Sequence, residues 1–304
     1  MGDNRRPMSQ ERSRGSLIGA SLFLALVAYG AGLVAMGFTQ AALMRVVQLR
    51  LILILSEMTL ALPALLVAFL LAHHIPELHR FSPVSPGAAV KTVVLGLAFW
   101  SLSLGVFEAQ YIFVKPPLEY LQQFQGLHET LRPHRPLGWV FSIVAIAAAP
   151  AMCEEVLFRG LLVPVFRRVT EGALEIAGAL TPASRARWAP AVAIVVSAAL
   201  FGAIHVDGMR DGTSVYYRVP FAFFLGILLG KLRIDTGSLW PPMIAHATLN
   251  ATTFLVVIFV EEPKGVLPDP QPLVALGMLL VGSTVAMALM KQIRRPAALP
   301  SSPW

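Results

Sequence analysis

The sequence predicts an all-α membrane protein, a bundle of about eight transmembrane helices with an intramembrane polar cavity. Three observations carry that prediction. The 304-residue chain is 56% hydrophobic and 13% charged, with a mean hydropathy of +0.68, against roughly 25% charged residues in a soluble domain. Its apolar residues fall into runs long enough for roughly 30 Å of hydrocarbon at 1.5 Å per residue. One run, residues 148–160 (A-A-P-A-M-C-E-E-V-L-F-R-G), holds three charges yet is otherwise apolar enough to cross a bilayer.

In chain order the expected spans are 17–38, 51–73, 89–114, 138–165, 189–206, 218–233, 241–260 and 272–290, the sixth being short. The first is too long for a signal-peptide core and reads as a retained span. Residues 1–16 and 291–304 then flank a single transmembrane domain, 17–290, in which no repeat stands out. The 23 glycines and 23 prolines suit membrane helices. Of the 24 Lys and Arg, fifteen fall in segments on the N-terminal side, eight in the opposite loops, and Arg159 lies inside a span. That bias places both termini in the cytoplasm. It also reads the net charge of +7 as a topology signal, so no nucleic-acid partner is expected. Ala-, Val- and Leu-rich helices and a Pro-rich tail have a bacterial flavour, giving a multi-pass protein of a bacterial inner membrane as the expected location.

The connections carry weaker signals. Residues 116–131 alternate apolar and polar positions near helical period, which fits either a helix along the outer interface or an ordinary loop. Residues 171–180 are equally ambiguous. Gly226 and Gly230 form G-x-x-x-G, expected to permit close packing of neighbouring spans. The single cysteine, Cys153, excludes an intramolecular disulfide and a cysteine-based zinc cluster.

Charges at membrane depth cost roughly 2.5–3.5 kcal/mol each on insertion scales, so Glu154, Glu155 and Arg159 require a reason. Glu155 and Arg159 are four apart and can pair on one helix face. Glu154 points about 100° away, without a local partner. A carboxylate in low-dielectric surroundings suits general acid–base work. Further polar groups are then expected at similar depth. The fifth span ends in F-G-A-I-H, with His205 four residues after Phe201, and the seventh holds H-A-T-L-N, stacking His246 and Asn250 on one face. Two Glu, two His and one Asn on three spans read as one convergent site. Their expected depths differ, with Glu154 near mid-membrane, His205 toward one end and His246 toward the other.

E-E-V-L-F-R-G resembles the E-E-x-x-x-R motif of the CAAX-protease and bacteriocin-processing (CPBP, or Abi) family of intramembrane endopeptidases. F-G-A-I-H is similar to that family's F-x-x-x-H motif and H-A-T-L-N to its H-x-x-x-N motif. The resemblance covers residues 148–250, in matching order, while the first three spans and the last carry no signature. It implies that Glu154 and His205 activate a water against a peptide carbonyl. His246 and Asn250 would hold the oxyanion, and Glu155 and Arg159 would support the helix and its local field. Substrates would be membrane-associated peptides or protein C-terminal segments: CAAX-like processing, peptide maturation or sorting-signal cleavage. No cofactor is implied.

Zinc is the competing mechanism, with Glu154, His205 and His246 as ligands. Against it, the sequence lacks H-E-x-x-H or another compact zinc spacing, and adjacent helical glutamates converge poorly on one ion. A different class of function is a non-catalytic membrane scaffold or bacteriocin-immunity protein. A proton-coupled transporter would call for an internal repeat of helices. Glu57 is an intramembrane carboxylate matching no motif, expected to partner a buried donor. Asp207 and Asp211 read as a turn, and Cys153 as a small buried residue.

Overall fold

The computed structural model describes residues 8–44, 47–178, 180–208, 212, 214–260 and 269–293. Most of the terminal segments expected at 1–16 and 291–304, together with Asp211, lies outside the described residues. The described chain forms nine helices. They are α1 (Met8–Leu43), α2 (Leu49–Leu71), α3 (Pro86–Phe113), α4 (Leu118–Thr130), α5 (Pro136–Ile176), α6 (Pro182–Ala203), α7 (Val219–Thr236), α8 (Trp240–Phe259) and α9 (Pro272–Ile293). Helices are the form in which an apolar run satisfies its backbone within the segment, as a bilayer core demands.

Seven of these helices are long and apolar enough to cross a membrane, and the chain is an integral, multi-pass membrane protein. The remaining long helix, α7, covers the expected sixth span but is not among those seven. Its 18 residues include Lys231, Arg233 and Asp235 near the C-terminal end, where Lys231 Nζ meets Asp235 Oδ2 at 2.8 Å. Exposed Phe23, Leu66, Phe69 and Leu273 provide apolar surface suited to lipid contact.

Helix entries are fixed by local chemistry. Ser85 Oγ accepts from Ala88 N and Thr181 Oγ1 from Ser184 N, both at 3.2 Å. Each cap precedes a proline at the first helical position, where a missing N–H costs nothing. At the end of α7, Gly237 adopts φ +63° and closes the helix, so the chain turns almost directly into α8.

α1 packs along α2, α6 along α7, and α3 along both α8 and α9. The middle of α5 runs between α2, α6, α7 and α8. Leu157, Phe158, Leu161, Leu162 and Val165 are therefore buried on α5's successive faces. The G-x-x-x-G reading is met. A Cβ on Gly226 would lie 2.9 Å from Ala198 Cα, and one on Gly230 would lie 3.1 Å from Ile194, so α6 and α7 approach closely there.

Residues 116–131 resolve into helix α4. Tyr120 Oη donates to Asp207 Oδ2 at 3.0 Å and Gln123 Nε2 to the Gly208 carbonyl at 3.1 Å. These bonds lay α4 against the chain following α6, where Asp207–Gly208 pairs antiparallel with Ser214–Val215. Asp207 also receives Arg218 Nη1 at 3.1 Å, so its part in the expected turn is structural. Residues 171–176 simply continue α5, with Arg167 and Glu171 paired at 2.8 Å.

Candidate active site

α5 departs from regular α-helix around the E-E motif. π-helical turns at Val144–Ala148 and Val156–Leu162 bracket the α-helical stretch Ala149–Glu155. Prolines explain both. Pro150 and Pro164 have no N–H to donate, and each ring crowds the carbonyl four residues back. A widened turn relieves the crowding, and Ala149 N–H bonds Val144 O while Val163 N–H bonds Phe158 O, each five residues back. Such turns recur at functional sites.

From this stretch Glu155 and Arg159 point into the bundle interior, 0% and 1% exposed. Arg159 Nη1 donates to Glu155 Oε1 at 2.8 Å and Nη2 to the Gly226 carbonyl at 3.1 Å. The guanidinium lies 4.5 Å from the centroid of the Phe201 ring, a cation–π contact in desolvated surroundings. The expected Glu155–Arg159 pair is present, and it reaches both α6 and α7.

His246 closes the cluster from α8. Its Nδ1–H donates to Glu155 Oε1 at 3.0 Å, and its Nε2 lies 3.8 Å from Glu154 Oε2. Glu154 is itself buried, and its Oε2 has no hydrogen-bond partner. Asn250 is partly buried one turn after His246 on the same helix. His205 follows the last turn of α6, and its Nδ1 donates to the Phe201 carbonyl at 2.7 Å, leaving Nε2 as the accepting nitrogen. Phe201 connects the histidines, with ring centroids 4.7 Å from His205 and 5.9 Å from His246. Phe201 packs on both Arg159 and His246, so His205 is joined to the cluster through one aromatic ring. Glu154 faces His246 at 3.8 Å, whereas His205 joins the cluster through Phe201.

Two residues outside the motifs belong to this region. Glu57 on α2 lies within electrostatic range of Glu154 and Cys153. Its buried Oε2 has no hydrogen-bond partner, so the donor expected for that oxygen is not found. His79, between α2 and α3, was not legible as part of the site. Its backbone N–H reaches the Gly160 carbonyl at 3.2 Å, the acceptor that Pro164 leaves vacant. Its Nε2 lies 3.1 Å from the Val156 carbonyl, and burial lowers the pKa of its imidazole.

An all-α, multi-pass membrane protein with a buried Glu–Glu–Arg–His cluster is the class that this fold and site define. Residues 136–252 match the family model described as "Type II CAAX prenyl endopeptidase Rce1-like", and this segment contains all three motifs. The match agrees with the family recognised from those motifs, whose kind of function is CAAX-type intramembrane proteolysis. Neither comparison with curated proteins nor comparison with solved structures returned a match.

Proposed function

We propose that the chain hydrolyses a peptide bond of a membrane-associated peptide or protein C-terminal segment, using a water activated by Glu154 and His205. The observation that carries the reading is His246 held between two buried carboxylates, bonded to Glu155 and facing Glu154. Glu155 and Arg159 act as supports. Arg159 anchors Glu155, and Glu155 fixes the His246 ring through Nδ1, directing Nε2 toward Glu154. The arrangement parallels the orienting carboxylate of hydrolytic triads in logic.

In the proposed reaction, water gives a proton to Glu154 as its oxygen attacks the substrate carbonyl carbon. The accepting Nε2 of His205 provides a second base for that water. Charge developing on the carbonyl oxygen is met by the Asn250 amide and by His246, which needs a second proton, on Nε2, since its Nδ1–H is held by Glu155. One such donor is worth roughly 3–4 kcal/mol. Collapse of the tetrahedral intermediate breaks the C–N bond, and the leaving amine recovers the proton from Glu154. Burial of the cluster excludes bulk water and strengthens each of these interactions.

No group of three His, Cys, Asp or Glu side chains among the described residues is arranged to hold a metal ion. The proposed steps use no metal ion. The Lys and Arg bias supports cytoplasmic termini, and the Ala-, Val- and Leu-rich composition supports a bacterial inner membrane.

Purified protein in detergent, incubated with prenylated C-terminal peptides, unprenylated counterparts and apolar membrane peptides, tests the reading by mass spectrometry of the products. Cleavage at a defined bond is expected. Retention of a peptide by the protein without cleavage would favour the scaffold or immunity reading.

A further inference from the structure

The geometry points to residues 75–82, between α2 and α3, as a positioning strap that sets the register of Glu154 and Glu155 against His246, with His79 its central residue. This rests on the catalytic reading only for its consequence in turnover, since the strap itself is a matter of geometry.

The strap is tied on one side to α5 and on the other to α7 and the start of α8. Toward α5, His79 bonds the Gly160 carbonyl through its backbone and faces the Val156 carbonyl through Nε2. Arg168 Nη2 adds a bond to the His74 carbonyl at 2.9 Å. Toward α7 and α8, Arg233 Nη2 donates to the Glu77 carbonyl at 2.6 Å, and the Leu239 N–H to the Arg80 carbonyl at 2.9 Å. Ser238 Oγ donates to the Ser82 carbonyl at 2.8 Å, and the Phe81 ring packs edge-on against Trp240, centroids 5.4 Å apart. Ile75 and Leu78 are buried beneath these bonds.

The result is a closed circuit. Gly160 is five residues from Glu155 along α5, and Trp240 is six from His246 along α8. The two helices are therefore joined twice, by the strap and by the Glu155–His246 bond. A shift of the strap moves one helix along the other and opens the second junction. Two local features show how tightly the first is made. His79 holds φ +43°, a left-handed conformation uncommon for a residue with a side chain. A Cβ on Gly160 would overlap His79 Cδ2, so the glycine ending E-E-V-L-F-R-G is the space into which the histidine ring fits.

The variants follow from those features. His79→Gly removes the ring while suiting the left-handed backbone. His79→Gln keeps an N–H donor near the place of Nε2, and His79→Leu keeps bulk without one. Gly160→Ala pushes the ring out, and His79→Gly in the same chain makes room for the added methyl. Two readouts are taken: ring resonances of His246 in ¹⁵N-histidine protein, assigned by loss in His246→Asn, and turnover of a cleaved peptide.

The strap predicts that His79→Gly, His79→Leu and Gly160→Ala shift the His246 signal and cut turnover roughly 10–100-fold with KM little changed. His79→Gln should restore both, and the His79→Gly/Gly160→Ala double variant should behave as His79→Gly alone. Should any variant fail to fold, the remaining variants and the His79→Gln rescue still decide. An unmoved His246 signal in the folded variants, or effects that simply add in the double variant, overturns the strap. If the wild type cleaves nothing while the His246 signal still moves, the strap is upheld and the hydrolase reading is the one that fails.

Discussion

His246 donates Nδ1–H to Glu155 Oε1 at 3.0 Å, and this one bond joins the first and third motifs across two helices. The same carboxylate oxygen accepts from Arg159 at 2.8 Å. Glu155 is thus the hinge of the cluster, and its neighbour Glu154 is left with an oxygen that no protein group occupies. The adjacent glutamates differ in that Glu155 Oε1 holds two protein donors, while Glu155 Oε2 and Glu154 Oε2 both lack one.

Arg159 is the first test of that division. Arg159→Ala leaves the Glu155 charge buried with half its support gone and removes the bond to the Gly226 carbonyl. Breaking a buried pair on one side costs about 3–5 kcal/mol, so folded yield and thermal midpoint in detergent should fall sharply. Arg159→Lys should recover only part of the loss, since a single ammonium cannot span both acceptors as the planar guanidinium does. Equal stability of Arg159→Ala and wild type would contradict the role given to the pair.

Close approach of α6 and α7 supplies a second prediction. Gly226→Ala puts a methyl 2.9 Å from the Ala198 backbone carbon, where little can yield. The expected cost is about 1–3 kcal/mol, as for overpacking elsewhere. Activity should fall with it, because Gly226 also holds Arg159. Thermal unfolding and cleavage measured on the same preparation check both halves.

The pH response of the strap gives a third. Burial lowers the pKa of His79, the bond to the Val156 carbonyl works in the opposite direction, and Arg233 adds to the lowering. A depressed folded value means that the unfolded chain takes up the proton first. The contribution to stability is therefore complete above the ordinary value of 6.5 and is lost as pH falls through the folded value. Between about pH 8 and pH 5, the thermal midpoint of wild type should drop more than that of His79→Gln. A wild-type midpoint rising relative to the variant on acidification would reverse the sign and contradict the assignment.

The apolar runs made the helices legible because a bilayer leaves so few alternatives for backbone bonding. The motif residues were legible because Glu154, Glu155, Arg159, His205, His246 and Asn250 are polar groups set in those runs. Three features were not. α4 was equally readable as a loop, its alternation being settled by contacts to Asp207 and Gly208 that lie far along the chain. Glu57 gave no sign of its neighbours, since the approach of α2 to the middle of α5 is a tertiary fact. His79 sits in a polar interhelical segment. Its importance comes from carbonyls left over by the π turn ahead of Pro164, visible only once the helix is built. Pro164 and the glycine ending the E-E motif were the available signals.

The most direct test of the glutamate mechanism compares wild type with Glu154→Gln on a cleaved peptide, each with and without a strong chelator. The substitution is close in size at an oxygen without protein partners, so folding should persist while turnover drops roughly 10²–10⁴-fold. Wild-type activity surviving the chelator beside an inactive, folded Glu154→Gln is the predicted result. Undiminished cleavage by Glu154→Gln, or wild-type activity abolished by the chelator and restored by zinc, would contradict the account.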